Sequence, residues 1–357
     1  MVTHDRPHGK LSHSMLHAAT LLLQNRSSRG ITMKLPRRQF LHLAAGAAAL
    51  PGVSRIARAQ TYPDRPIKIV VPIGPAGSYD IVGRLLADQL SRRLGQSVIV
   101  ENRPGAGTIV GTQAVISAPA DGYTLLVGGL SNIVFNVGLY KNLPYDPLAD
   151  LVPIALVFNI SYALVGTKDL PYSTPKGVVE AAQKNPGKLT LANIGVGTGQ
   201  HIVGAAFMKI TGTQLLEVPY RGPAVAYPDL LSGRVDLFFD SMPSALPYIK
   251  AGQAKAIGIL TAKRSPQAPD VPTMTESGVP GLEIDSWIGL FAPAKTPPAV
   301  ISRLQQAIAQ TLPELKPRFE TSGGELMDMP AAKLKDFVKS EHDKWIKIIQ
   351  EAGIRLE

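Results

Sequence analysis

The chain has 357 residues, no cysteine and a formal net charge of +10. The lack of cysteine excludes thiol catalysis, disulfides and thiolate metal sites. Residues 1–59 hold nine of the 37 Lys and Arg but one of the 27 acidic residues, so the other 298 residues carry only +2, which predicts no nucleic-acid partner.

Residues 33–59 have the pattern of an export signal. The arginine pair 37–38 precedes an apolar stretch shorter than the roughly 20 residues that span a bilayer. The Ala-x-Ala sequence at 57–59 fits a cleavage site. The pattern predicts a twin-arginine signal that is removed before Gln60, translation that begins at Met33, and a periplasmic protein. The alternative, a membrane anchor that is never removed, is disfavoured by interrupting Gly, Pro and Arg residues.

Outside that segment the chain has two histidines, His201 and His342. Two imidazoles are too few for a zinc site and leave little choice of base for a Ser–His pair. We therefore expect no metal site.

From residue 62 onward, short β-branched runs alternate with apolar-periodic stretches. This alternation is typical of an α/β fold with a largely parallel sheet. The first part of the chain is predicted to contain strands over 67–71, 97–102 and 123–127 and helices over 81–94 and 108–117.

The apolar run 151–165 is predicted to be a long strand that crosses between two lobes. Beyond it we predict helices over 175–185, 200–211 and 243–251, a helix ending at 232, and strands over 188–192, 215–218, 235–240 and 254–261. A second crossing segment, 285–293, returns to the first lobe, which helices over 298–312 and 331–352 complete.

These crossings predict a first lobe of residues 60–162 plus 284–357 and a second lobe of residues 163–283. A lobe built from both chain ends, with another inserted, is the layout of a hinged binding protein with its ligand in the cleft. The crossing segments are the expected hinges.

The first glycine loop (residues 74–80) follows a strand and opens a helix. Its backbone N–H groups then lie beside the positive end of the helix dipole, where anions bind. Ser78 adds a hydroxyl, whereas Asp80 is better suited to cap the helix. The alternative is an ordinary strand-to-helix turn.

The second glycine loop (residues 193–200) repeats this arrangement in the other lobe, with three alternating glycines and the hydroxyl of Thr198. Two facing anion-binding loops suit a dicarboxylate. Neither loop has the Gly-Lys-Ser/Thr of a phosphate-binding loop or full dinucleotide spacing, so we predict no cofactor.

Four further side chains are candidates for ligand contact. His201 follows the second glycine loop, but it could equally cap or pack the helix. Tyr220 and Arg221 follow a strand, where the guanidinium could fork a carboxylate or lie in a surface turn. Asp240 ends an apolar strand, and it either meets a polar ligand group or bonds backbone N–H groups.

Several motifs occur in order between residues 62 and 354. They include Gly77-Ser78 with Asp80-Ile81-Val82-Gly83-Arg84, Asn102-Arg103-Pro104-Gly105-Ala106-Gly107, Asp121-Gly122-Tyr123-Thr124, Leu143-Pro144-Tyr145-Asp146-Pro147, Val218-Pro219-Tyr220-Arg221-Gly222 and Phe239-Asp240. In these motifs the chain resembles the Bug family, the periplasmic solute receptors of tripartite tricarboxylate transporters.

The resemblance implies a two-lobe, class II periplasmic binding protein fold. Such a protein closes on a small carboxylate, holds it largely by loop amides, and hands it to membrane permease subunits. Tyr79 departs from the family's usual Thr and could narrow the pocket or stack on an aromatic acid, while Ile194 and Val196 make the cleft less polar. The predicted ligand-binding residues are Gly74, Ala76, Gly77, Ser78, Tyr79, Ser131, Asn132, Gly197, Thr198, Gly199, His201, Tyr220, Arg221 and Asp240.

We therefore predict a non-enzymatic receptor for a small organic acid, which is a di- or tricarboxylate, an aromatic acid or an acidic amino acid. An exported hydrolase that pairs Ser131 or Ser241 with His201 is the main alternative, although no Gly-x-Ser-x-Gly elbow occurs. A ligand-sensing partner of a membrane signalling protein would share the receptor fold.

Overall fold

The computed structural model describes residues 62–352, with side chains as far as residue 350. The export signal, its cleavage site and the start at Met33 lie outside the described residues and stay predictions. No helix within residues 62–352 combines the length and the apolar composition that a membrane span requires.

The described chain begins with the predicted alternation of strands and helices. Strand β1 (Ile67–Val71) leads through the first glycine loop into helix α1 (Ser78–Leu94), which ends at Gly95 in the left-handed conformation, with φ of 68°. The left-handed backbone conformation at this position favours glycine. The next elements are β2 (Val98–Asn102), α2 (Ile109–Ile116), β3 (Thr124–Gly129), α3 (Asn136–Leu139) and α4 (Pro147–Asp150).

The remaining elements begin with the long strand β4 (Leu151–Thr167). They continue with α5 (Pro175–Lys184), β5 (Thr190–Asn193), α6 (Gly199–Thr211), β6 (Leu216–Pro219), α7 (Pro223–Leu231), β7 (Leu237–Ser241), α8 (Met242–Lys250), β8 (Ala254–Ile259), β9 (Asp285–Pro293), α9 (Pro298–Thr321), β10 (Gly324–Leu326) and α10 (Leu334–Ala352).

Strand β4 confirms the predicted crossing strand. It pairs with β9 from Leu151 to Ser161 and with β7 from Tyr162 to Gly166. The first lobe thus contains β1 to β3, β9 and β10, the second contains β5 to β8, and β4 runs through both. The predicted lobe boundaries at 162–163 and 283–284 stay predictions.

The strands form one sheet in the order β2-β1-β3-β9-β4-β7-β5-β6, and β8 and β10 also pair with β4. β1 is parallel to β2 and β3, and β5 is parallel to β6 and β7. The pairings of β4 and β9, including those with β3, β7, β8 and β10, are antiparallel. The prediction of a largely parallel sheet is therefore wrong for the centre of the sheet. There the two strands that connect the lobes, β4 and β9, are antiparallel to each other and to the strands beside them.

Helix α9 continues to Thr321, although Pro313 predicts an end one residue before it. Pro313 and Pro317 each remove a backbone hydrogen bond inside the helix, which is costly. Packing offsets this cost, since Phe319 is fully buried and stacks on Phe158 of β4 with ring centroids 4.2 Å apart. Tertiary contacts thus override the local signal, and no sequence pattern predicts β10 beyond the helix.

Candidate ligand-binding site

The carboxylate of Asp80 holds the first glycine loop in shape. Its Oδ2 accepts hydrogen bonds from the amide of Ala76 (3.0 Å) and from Nε of Arg84 (3.0 Å), and its Oδ1 accepts one from Nδ2 of Asn102 (2.9 Å). Ala76 has a φ of 65°, in the left-handed region that costs energy for an L-residue. Asp80 therefore stabilises the loop from within the protein.

Tyr79 lies buried beneath the turn that follows β3. The residue is 4% exposed, and its oxygen accepts a hydrogen bond from the amide of Ser131 (3.3 Å). Burial raises the pKa of Tyr79, and the neighbouring Tyr162 adds to the effect. A Cβ on Gly129 would lie 2.4 Å from the Tyr79 oxygen, so this packing requires glycine there. The neighbouring Ser78 is also buried.

A π-helical turn, Leu130–Phe135, carries the predicted site residues Ser131 and Asn132. Asn132 is fully buried, and its Oδ1 accepts a hydrogen bond from the amide of Gly129 (3.0 Å), so this side chain shapes the turn. Ser131 has a partner in the other lobe. Its Oγ accepts a hydrogen bond of 3.0 Å from the amide of Gly199, the first residue of α6.

The glycine amides of the second glycine loop already donate within the protein. The acceptors are Asn193 Oδ1 for Gly195 (3.1 Å), His201 Nδ1 for Gly197 (3.4 Å) and Ser131 Oγ for Gly199 (3.0 Å). The glycine spacing predicts amides that point at an anion. In the structure these three amides are engaged, and an anion would have to replace one of their present acceptors.

His201 and Thr198 explain part of this engagement. Burial lowers the pKa of His201, and a neutral imidazole can accept the Gly197 N–H through Nδ1. Thr198 is the N-cap of α6, and its Oγ1 accepts a hydrogen bond from the His201 amide (3.4 Å). Both side chains therefore stabilise the loop and the start of the helix.

Glycines allow the two lobes to touch at two places. A Cβ on Gly74 would lie 2.3 Å from the carbonyl oxygen of Arg221, which follows β6 in the second lobe. A Cβ on Gly107, after β2, would lie 2.2 Å from the carbonyl oxygen of Val196 in the second glycine loop. Any larger residue at these positions would collide with backbone, so the structure shows the lobes in close contact.

Asp240 is fully buried at the end of β7. Its carboxylate accepts hydrogen bonds from the Ser241 amide (2.8 Å), from Nε2 of Gln200 (3.2 Å) and from the Tyr227 hydroxyl (3.0 Å). Burial raises the pKa of Asp240 to about 6, and the hydrogen bonds from these three groups oppose the rise. Asp240 thus satisfies its hydrogen-bonding capacity inside the second lobe and anchors Gln200 at the start of α6.

A cavity of about 390 Å³ lies between the loops of the two lobes. The first lobe contributes Pro72, Ile73 and residues 104–108, and the second contributes Ile194, Gly195, Thr198, Tyr220 and Arg221. Three predicted site residues, Thr198, Tyr220 and Arg221, therefore line this cavity. The other eleven do not: Gly74, Ala76, Gly77, Ser78, Tyr79, Ser131, Asn132, Gly197, Gly199, His201 and Asp240.

Sequence reasoning missed the wall formed by residues 104–108. The backbone there has positive φ at Gly105 (147°), Ala106 (43°), Gly107 (57°) and Thr108 (81°), and two of these residues carry side chains. Strained backbone of this kind is enriched at binding sites. The Arg-Pro-Gly-Ala-Gly sequence was the available signal, because its glycines indicate unusual dihedrals.

A second cavity, of about 430 Å³, is lined by residues such as Tyr62, Arg65, Asp121 and Tyr123. These residues precede or flank the amino ends of β1 and β3. Ligands of α/β sheets bind beyond the carboxyl ends of the strands, which favours the first cavity as the ligand site. Within residues 62–352, no group of three or more His, Asp or Glu side chains is placed to hold a metal ion.

Comparison with known families shows to which family the chain belongs. The model of the tripartite tricarboxylate transporter family receptor matches residues 82–354. The chain belongs to this family. The matched region contains the second glycine loop and residues 104–108, whereas the first glycine loop lies before it.

Two curated relatives of the receptor cover most of its length. A UPF0065 protein from the tcbD-tcbE intergenic region of Pseudomonas sp. strain P51 is 36% identical over 301 residues, which are 84% of this chain and 89% of the relative. Protein BugT of Bordetella pertussis is 33% identical over 312 residues, which are 87% of this chain and 96% of the relative.

Solved structures confirm the two-lobe periplasmic binding protein fold. The periplasmic binding protein BugD is 35% identical, with a TM-score of 0.79 over 83% of this chain and all of that one. An R. palustris protein with adipate is 32% identical, with the same TM-score and coverage. MatC from Rhodopseudomonas palustris with bound malate is 29% identical, with a TM-score of 0.77 over 81% of this chain and all of that one.

The alternative of a Ser–His hydrolase is wrong. His201 Nδ1 bonds the Gly197 amide, Ser131 Oγ bonds the Gly199 amide, and Ser241 Oγ is buried with no hydrogen-bond partner within residues 62–352. Neither serine is hydrogen-bonded to the imidazole. The family is one of solute-binding receptors and not of enzymes.

Proposed function

We propose that this receptor captures a small organic carboxylate outside the cytoplasm and delivers it to the membrane permease subunits of a tripartite tricarboxylate-type transporter. The observation that carries the proposal is the cavity of about 390 Å³, which has walls from both lobes and a cationic residue, Arg221. A pocket of that volume fits a small molecule. The adipate and malate in the two R. palustris structures support an acid as the ligand.

The proposed ligand contacts fall into two groups. Arg221, Tyr220 and Thr198 meet the ligand from the second lobe, together with the wall at residues 104–108. The other predicted site residues act at the rim or behind the wall, where Ser131 and Gly199 join the lobes and Asp240 fixes the start of α6. The lobes, residues 60–162 plus 284–357 and residues 163–283, close on the acid by bending at the crossing segments.

The cellular location of the receptor is part of the same proposal. Its relatives include periplasmic binding proteins, and residues 33–59 have the twin-arginine pattern. We place the mature protein in the periplasm, with Gln60 as its first residue.

The test is ligand-induced stabilisation. A ligand that binds only the folded state increases the free energy of unfolding, by roughly 2.7 kcal/mol at a ligand concentration of 100 times its Kd. The melting temperature rises as a result. We expect at least one acid from a panel of aliphatic, aromatic and amino acids to raise the melting temperature of the purified receptor, and neutral sugars to leave it unchanged. If a neutral sugar raises it and every acid leaves it unchanged, the proposed function is wrong.

A further inference from the structure

The cavity between the lobes carries a single charge. Of its twelve lining residues, Arg221 is the only one that carries a full charge at neutral pH, and no acidic residue lines the wall. Arg221 is exposed, and its guanidinium makes no hydrogen bond or ion pair within residues 62–352. A guanidinium presents a planar fork that matches one carboxylate.

The other polar side chains of the wall already have partners. The Tyr220 hydroxyl donates to Asp229 Oδ2 (2.9 Å), and Thr198 Oγ1 donates to the carbonyl oxygen of Gly195 (2.7 Å). Thr108 Oγ1 donates to the carbonyl oxygen of Gly107 and accepts a hydrogen bond from Asn136 Nδ2 (3.1 Å). A second anionic group in the cavity would therefore find no free cationic or hydroxyl side chain to compensate for its lost water.

The remaining side chains of the wall are apolar, and they lie beside backbone groups of residues 105–107 and Gly195. Pro72, Ile73 and Pro104 come from the first lobe, and Ile194 faces the same cavity from the second. Such walls stabilise a hydrocarbon body by removing it from water, at about a fourfold gain in affinity for each buried methylene. They give hydroxyl-rich acids no comparable advantage.

We infer that the preferred ligand is a monocarboxylate with an apolar body, such as an aromatic or alicyclic acid, with its carboxylate on Arg221 and its body between the aliphatic walls of the two lobes. The inference rests on the proposed function and specifies its ligand class. It differs from the dicarboxylate that two facing glycine loops would suit, because the glycine amides of the second loop are engaged within the protein.

Calorimetric titration of the receptor, purified after expression of the full chain, tests the inference. The probes are acetate, butyrate, hexanoate, cyclohexanecarboxylate and benzoate, against malate, adipate and citrate, with benzamide as the uncharged match of benzoate. We expect affinity to rise from acetate to hexanoate, the two ring acids to bind more tightly than malate, adipate and citrate, and benzamide to bind far more weakly than benzoate.

The variant Arg221→Gln adds an independent readout, with Arg303→Gln as its control because Arg303 is exposed on α9. We expect Arg221→Gln to weaken benzoate binding roughly 10- to 100-fold, the range for a hydrogen bond to a charged group, and Arg303→Gln to leave it unchanged. Tighter binding of malate, adipate or citrate than of every monocarboxylate, or equal binding by the two variants, overturns the inference while the proposed function stands. If no acid of either kind binds, the proposed function itself fails.

Discussion

The amide of Gly199 donates a hydrogen bond of 3.0 Å to the hydroxyl of Ser131, which lies in the other lobe. Both residues are buried. The bond fixes the first residue of α6 against the turn after β3, so the carboxyl ends of strands from both lobes meet at this point. This contact explains how the loops that flank the cavity keep their relative positions.

Removal of this hydroxyl should destabilise the protein in the absence of ligand. In Ser131→Ala the buried Gly199 amide loses its acceptor, and we expect the free energy of unfolding to fall by roughly 1–3 kcal/mol. Urea denaturation measures the change. Ser173→Ala is the control, since Ser173 is exposed, and it should stay within about 0.5 kcal/mol of wild type. Equal stability of the two variants would show that the Ser131 contact contributes nothing.

Gly74 should matter for ligand affinity more than for stability. In Gly74→Ala the new Cβ would meet the Arg221 carbonyl oxygen at 2.3 Å, and the lobes can relieve that collision by moving apart. A collision of this kind costs about 1–3 kcal/mol, so we expect the affinity for a bound acid to fall roughly 5- to 100-fold. Calorimetry gives the affinity, and small-angle scattering of the variant should show a larger radius of gyration.

Gly177→Ala is the matched control for this substitution, because a Cβ there would make contacts no closer than 3.4 Å. It should bind the acid as wild type does. An unchanged affinity in Gly74→Ala would contradict the close approach of the lobes in the ligand-bound state.

Asp240 should make stability depend on pH below neutrality. Burial raises its pKa to about 6 from an ordinary 3.8, so between these values the folded protein keeps a proton that the unfolded chain releases. The Asp240 contribution to the free energy of unfolding therefore falls as pH rises from about 4 to about 6, by roughly 3 kcal/mol in total. Urea denaturation at several pH values in this window measures the slope.

Asp240→Asn should flatten that slope, whatever its effect on absolute stability, because the amide does not titrate. The exposed Asp270→Asn should keep the wild-type slope. The same pH profile in wild type and in Asp240→Asn would be the opposite result, and it would mean that the Asp240 carboxyl titrates alike in the folded and unfolded chains.

Export should depend on the arginine pair 37–38. Replacement of both by lysine should leave the precursor in the cytoplasm, while Arg55→Lys, in the same segment, should be exported normally. Cell fractionation measures the distribution, and N-terminal sequencing of the exported protein should begin at Gln60. Normal export of the double variant would exclude the twin-arginine pathway.

Local sequence patterns predicted most elements well. The β-branched run at 67–71 and the long apolar run from 151 correspond to β1 and β4, because strand formation there follows from composition and flanking prolines. The patterns failed where distant contacts decide. Packing of Phe319 against Phe158 carries α9 through two prolines, and the antiparallel pairing of β4 with β9 joins segments far apart in the chain.

The sequence predicted where in the fold the candidate site lies, but it predicted the hydrogen bonds within the site less well. Glycine spacing located both loops at strand ends, and two of the predicted site residues, Tyr220 and Arg221 after β6, line the cavity. Spacing could not show that His201 and Ser131 accept hydrogen bonds from the amides of Gly197 and Gly199. Both acceptors lie outside the loop and are positioned only in the folded protein. The positive φ values at Ala106 and Thr108 likewise have no side-chain signature.

The most direct measurement is a crystal structure of the receptor with an acid that raises its melting temperature. We predict electron density for the acid in the cavity between Ile73 of the first lobe and Ile194 of the second, with its carboxylate against the guanidinium of Arg221. Density for the acid at the amino ends of β1 and β3, or on an outer surface of one lobe, would contradict the account.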